Sequence, residues 1–180
     1  MSSDVLVTTP AQRQTEPHAE AVSRNRRQQA TFRKVLAAAM ATLREKSYAD
    51  LTVRLVAARA KVAPATAYTY FSSKNHLIAE VYLDLVRQVP CVTDVNVPMP
   101  IRVTSSLRHL ALVVADEPEI GAACTAALLD GGADPAVRAV RDRIGAEIHR
   151  RITSAIGPGA DPGTVFALEM AFFGALVQAG

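Results

Sequence analysis

An all-α fold is predicted for this 180-residue chain by three observations: apolar residues recur at helical spacing through most of its length, prolines and glycines fall between those stretches, and nothing reads as a strand. Charge is distributed unevenly. Residues 1–90 hold 13 Lys and Arg against 7 Asp and Glu, whereas residues 91–180 hold 7 against 10. A basic front and a mildly acidic back suit a head that meets a polyanion, joined to a body that does not, although an anionic membrane would satisfy the charge equally. The chain has no uncharged apolar run of about 18 residues, and MSSDVLVTTP lacks the basic start and apolar core of a signal peptide, so the expectation is a cytoplasmic protein without a membrane partner.

Residues 1–23 mix Ser, Thr, Gln, Glu and Pro without sustained periodicity and are expected to form a disordered arm. Residues 24–72 read as a small helical head. Its first helix is expected over Arg24 to Lys46, where Phe32, Val35, Leu36, Ala39, Met40 and Leu43 share one face and Arg33, Lys34 and Arg44 lie off it. Arg24, Arg26 and Arg27 crowd its start, where the helix dipole disfavours cations; a nearby phosphate accounts for them, and so does an ordinary solvated charge run.

Thr52 to Lys74 then places two very short helical patterns around one tight turn. Thr52 is an N-cap, Val53, Val56, Ala57 and Ala60 form one face, Lys61-Val62-Ala63 is the turn, and Pro64 suits the first turn of a helix running to Tyr70. A helix so short needs its neighbours, which points to a docking element. Ala63, Ala65 and Ala67 let its backbone approach another surface, while Thr66, Thr69 and Tyr70 offer hydroxyls and Lys74 a cation, groups that position phosphates. This is the layout of a helix-turn-helix.

Thr52, Val56-Ala57, Ala60, Val62, Thr66, Tyr68, Tyr70-Phe71, Ser73-Lys74 and Leu77 together resemble the signature of the tetracycline-repressor (TetR) family, over about residues 24–85. The resemblance implies that Thr52, Thr66, Tyr70 and Lys74 hold the DNA backbone, that Pro64, Ala65 and Thr69 lie where bases are read, and that Tyr68 mainly packs the motif together. It also implies a homodimer that straddles an inverted-repeat operator, acting most often as a repressor and released by a small effector. Three departures stand out. Lys61 replaces the usual turn glycine, Ala63 replaces a Ser or Thr cap, and Ala65 and Ala67 leave the reading surface nearly free of bidentate donors, so specificity would rest on shape, methyl contacts and hydroxyls.

After the head, residues 73–89 form a connecting helix with Leu77, Val81 and Leu85 at fourfold spacing, and residues 90–100 form a proline-rich linker. Residues 101–180 are expected to be a helical effector-binding and dimerisation domain with helices at about 101–115, 118–130, 135–156 and 162–180. The first of these is apolar nearly all round and is expected at the centre of the domain. Leu107, Leu110, Val114, Cys124 and Leu128, with Phe172 and Phe173 opposite, are the candidate lining for an effector, whose class would be lipophilic; core packing explains the same residues without a ligand. The last helix stops on Val177-Gln178-Ala179-Gly180 without a polar cap, which suggests truncation, and residues 162–180 are the expected dimer surface.

Catalysis and metal binding are not expected. His18, His76, His109 and His149 show no ligand spacing, no nucleophile elbow or phosphate-cradling glycine loop is present, and Cys91 and Cys124 read as a loop thiol and a buried small hydrophobe, so no cofactor is implied. The competing reading is an all-helical lipid carrier or adaptor whose helix-turn-helix serves only packing. Such a motif has no need of Thr66, Tyr70 and Lys74 on the surface together.

Overall fold

The computed structural model describes residues 16–179, with the side chains of residues 16–22, Arg24, Val114 and residues 176–179 outside that description. Eight helices account for these residues, without a strand among them: α1 (Glu16–Leu43), α2 (Val53–Arg59), α3 (Pro64–Tyr70), α4 (Lys74–Gln88), α5 (Met99–Ala115), α6 (Pro118–Asp130), α7 (Pro135–Ile156) and α8 (Pro162–Ala179). Helix α1 begins at Glu16 rather than Arg24, so residues 16–23 of the expected arm are helical, while residues 1–15 lie outside the described residues.

Helix α4 is the centre of the molecule. It packs most extensively against α7 and α6 and also meets α1 and α5. Leu77, Ile78, Ala79, Glu80, Val81, Tyr82, Leu83 and Val86 are all buried. The fourfold row of Leu77, Val81 and Leu85 marks only one side of this helix; Ile78, Ala79, Tyr82 and Leu83 fill the others. The central position expected for α5 therefore belongs to α4. On α5, Met99 and Ile101 are 46% and 59% exposed, because its outer side has no neighbouring helix among the described residues.

Local signals set the helix ends. Ser73 caps α4 by accepting the His76 N–H at 3.0 Å, and Asp134 caps α7 by accepting the Ala136 N–H at 2.8 Å. The Ser73 hydroxyl also donates to Asp134 at 3.0 Å, which joins the starts of the two helices. The bond from Ala136 is the chief cause holding the Asp134 carboxyl below its usual range. Gly157 ends α7 at φ 94, a conformation that a side chain at this position would resist.

Two buried arginines bind helix C-termini. Arg151, 1% exposed, donates to the Val89 and Arg87 carbonyls at 3.0 and 2.9 Å, to the Glu147 carbonyl at 2.9 Å and to the Glu147 carboxylate at 2.7 Å. It thus satisfies carbonyls that the end of α4 leaves unpaired. Arg102 does the same for α7, donating to Ala155 and Ile156 carbonyls at 2.8 Å each and to Val97 at 2.6 Å. A buried charge without such partners would be costly. Burial alone would raise the Glu147 pKa, but hydrogen bonds from Arg150, Arg151 and Arg87 outweigh it and bring the carboxyl down from 4.5 to about 2.

Arg151→Met strips α4 of its C-terminal donors and leaves Glu147 without its most buried partner; a loss of about 3 kcal/mol is expected in urea unfolding. Because the folded pKa of Glu147 lies below its unfolded value, its stabilisation is complete above 4.5 and is lost as pH falls toward about 2. Across that window Glu147→Gln is expected to lose less stability than the parent, measured by denaturant titration at each pH.

Candidate nucleic-acid interface

The head is built on an aromatic and aliphatic core. Val35, Leu36, Ala39 and Leu43 of α1 close over Val53, Val56 and Ala57 of α2, with Ala67 and Phe71 at the end of α3, and all are buried. Phe32 stacks on Phe71 with ring centroids 5.1 Å apart and meets Tyr70 edge-on at 6.1 Å. This cluster fixes the end of α3 against α1.

The helix-turn-helix follows the sequence closely. The Thr52 hydroxyl accepts the Leu55 N–H at 3.1 Å, which opens α2. That leaves the exposed hydroxyl its own hydrogen to donate outward. Lys61 adopts φ 55, the left-handed conformation that glycine would favour, at a cost of about 1–2 kcal/mol. Ala63 provides no side-chain cap for α3, and Pro64 occupies its first turn.

Along α3, Pro64, Ala65, Thr66 and Thr69 are exposed and Tyr70 is half-buried. Thr69 donates to the Ala65 carbonyl at 3.0 Å, leaving its oxygen as an acceptor. Two expectations need correction. Ala67 is fully buried, so it faces the head's core rather than a docking surface, and Tyr68 is 46% exposed instead of packing the motif together. Phe71 and Phe32 do that packing, since a seven-residue helix offers its core only the side that carries Ala67.

Lys74 is held by its neighbours. Its Nζ donates to the Tyr48 carbonyl at 3.1 Å and sits 4.1 Å from the centre of the Tyr48 ring, while the Tyr48 hydroxyl donates to Asn75. An ammonium has three N–H donors, so two remain. Thr66, Tyr70 and Lys74 are thus all at least partly accessible on one head. Tyr48 was not legible as a site residue: it lies 26 positions before Lys74, and no spacing rule links them.

Residues 35–81 match the family of bacterial regulatory proteins described as the tetR family. The head is a TetR-family helix-turn-helix domain. The fold also matches the crystal structure of a TetR transcriptional regulator from Rhodococcus sp. RHA1 at a TM-score of 0.69, with 22% identity over 85% of this chain and 84% of that one. A putative transcription regulator from Lactobacillus plantarum is 18% identical over 83% of this chain and 87% of that one, but its TM-score of 0.41 is too low to inform the fold.

Behind the TetR-family head, the residues expected to contact an effector belong to the packed interior of the body. Leu110, Cys124 and Phe172 are buried in the core, Leu107, Leu128 and Phe173 pack against it, and the side chain of Val114 lies outside the described residues. Burial pushes the Cys124 thiol up to about 12, as expected of a small hydrophobe. An open groove of about 560 Å³ lies on the outer side of α5, lined by Pro100, Ile101, Thr104, Ser105, Arg108, His109 and Leu112. None of the residues expected to contact an effector lines it. Among the described residues, no helix is long and apolar enough to cross a membrane.

Proposed function

We propose that the protein is a homodimeric transcriptional regulator, most often acting as a repressor, that places two copies of α3 in successive major grooves of an inverted-repeat operator and is released by a small lipophilic effector. The observation that carries this reading is the head: a TetR-family helix-turn-helix whose exposed Pro64, Ala65, Thr66 and Thr69 share one short helix beside Thr52, Tyr70 and Lys74. In this reading Thr52, Thr66, Tyr70 and Lys74 grip phosphates. Pro64, Ala65 and Thr69 face base edges, where methyl and shape contacts dominate because no Arg, Asn or Gln projects from α3.

The dimer is supported by α8, where Phe166 and Met170 are 62% and 47% exposed while Val165 and Phe172 are buried in the core on the opposite side. The effector is supported by the apolar chemistry of Leu107, Leu110, Cys124, Leu128 and Phe172. These side chains are packed together, so a ligand among them must favour a second, more open arrangement and shift the population toward it. The connecting helix α4 packs on both head and body and would transmit that shift.

On DNA upstream of its own gene, fluorescence anisotropy over a salt series should show tighter binding than on a scrambled duplex. Tyr70→Phe and Lys74→Ala should weaken both, with the salt slope of Lys74→Ala lower by about 1, whereas changes at Ala65 or Thr69 should alter the preferred sequence. Unchanged affinity in both phosphate-site variants would remove those contacts, and no binding by the parent at low salt would favour a carrier. For the dimer, light scattering should show the parent mass halved by Phe166→Glu; a monomeric parent at micromolar concentration counts against it. For the effector, a thermal-shift screen of acyl chains, sterol-like compounds and planar drugs should find a stabilising apolar class, and failure with all three would count against a lipophilic ligand.

A further inference from the structure

Helix α1 is 28 residues long and extends well before the region that matches the family, which begins at residue 35. Its character changes at Phe32. From Phe32 onward, the side facing the head is apolar, with Phe32, Val35, Leu36, Ala39 and Leu43. In the preceding turns the same side carries Asn25, Gln28 and Gln29, all exposed. Arg26 and Arg33, seven residues apart, run along one flank of this stripe, while Arg27 and Lys34 lie on the far side of the helix. All four cations are exposed, and none takes part in an ion pair among the described residues.

The position of this stripe follows from Phe32. Its ring touches Tyr70 and Phe71, so α1 crosses the head at the C-terminal end of α3. Gln28 lies one turn earlier, about 6 Å along the axis, and Asn25 nearly one turn beyond it. Amide and guanidinium groups therefore lie within about 10 Å, along α1, of the point where it meets the end of α3. Amides, arginines and the absence of any carboxylate between Ser23 and Leu43 match a phosphate backbone in charge and in hydrogen-bond donors.

We propose that the middle turns of α1, before Phe32 and just after it, form a second DNA-contacting element, in which Asn25, Arg26, Gln28, Gln29 and Arg33 bind the sugar-phosphate backbone flanking the site read by α3. This inference rests on the DNA-binding reading of the head. The contacts lengthen the footprint and add affinity without sequence preference, because phosphates position a protein but do not specify a base.

The test uses the full chain and a duplex enriched from a random-sequence pool, either carrying an extra helical turn of flanking DNA at each end or trimmed to the preferred sequence. Arg26→Gln/Arg33→Gln is compared with Arg27→Gln/Lys34→Gln, which removes the same charge from the far side. On the long duplex the first pair should bind roughly fivefold more weakly, with a salt slope lower by about 1–2. On the trimmed duplex it should match the parent. The far-side pair should stay close to the parent on both, and Arg26→Lys/Arg33→Lys should retain most of the affinity on the long duplex, which separates charge from folding. Equal losses in the two Gln pairs, or no loss on the long duplex while Lys74→Ala still weakens binding, would overturn this inference alone. If the pool yields no preferred duplex for the parent, the DNA-binding reading fails and this inference fails with it.

Discussion

Helix α4 has almost no side left to solvent, and most of the architecture is arranged around satisfying it. Seven consecutive side chains, Leu77 to Leu83, are buried against α1, α5, α6 and α7. A helix enclosed in this way needs partners for the polar groups it takes inside. Glu80, 6% exposed, receives Arg143 of α7 at 2.6 Å with His76 at 3.8 Å, and although burial opposes ionisation, these neighbours keep its carboxyl below the usual range. Ser73 caps one end and Arg151 covers the carbonyls at the other.

Helix α4 is shared between head and body, meeting α1 on one side and α5, α6 and α7 on the other. Its first residues hold the head through Lys74 and Asn75, which meet Tyr48, and through His76, whose Nδ1 accepts the Ser72 N–H at 3.2 Å. The Arg44–Glu117 ion pair ties the end of α1 to the start of α6. The Ser73–Asp134 bond ties α4 to the start of α7. Head and body are thus joined through a small set of directional contacts at the start of α4 and the end of α1.

The exposed side of α3 is economical in its chemistry. Helix α3 contributes hydroxyls and methyl-sized side chains to its exposed side, while Ala67 faces inward. The strained Lys61 turn and the uncapped Ala63 start are tolerated because Val53, Val56, Ala57, Phe71 and Phe32 hold the motif from behind. Tertiary packing, rather than helix propensity, stabilises so short a helix.

The sequence alone determined the helix-turn-helix within a residue at each boundary. Thr52, Pro64 and Ser73 carry their structural signals in adjacent side chains, and the four helices of the body end at prolines, glycines or caps that act locally. Only the tertiary structure decided which helix is central. Periodicity reports how many sides of a helix are apolar but not whether other helices cover them, so α5 looked more buried than α4. The same limit hid Arg102 and Arg151: each occupies an apolar stripe, yet each donates to two carbonyls more than 50 residues away in sequence. Lys74 looked like a free cation until the fold brought Tyr48 beneath it, and Ala67 and Tyr68 exchanged expected roles because a seven-residue helix can bury only one narrow side.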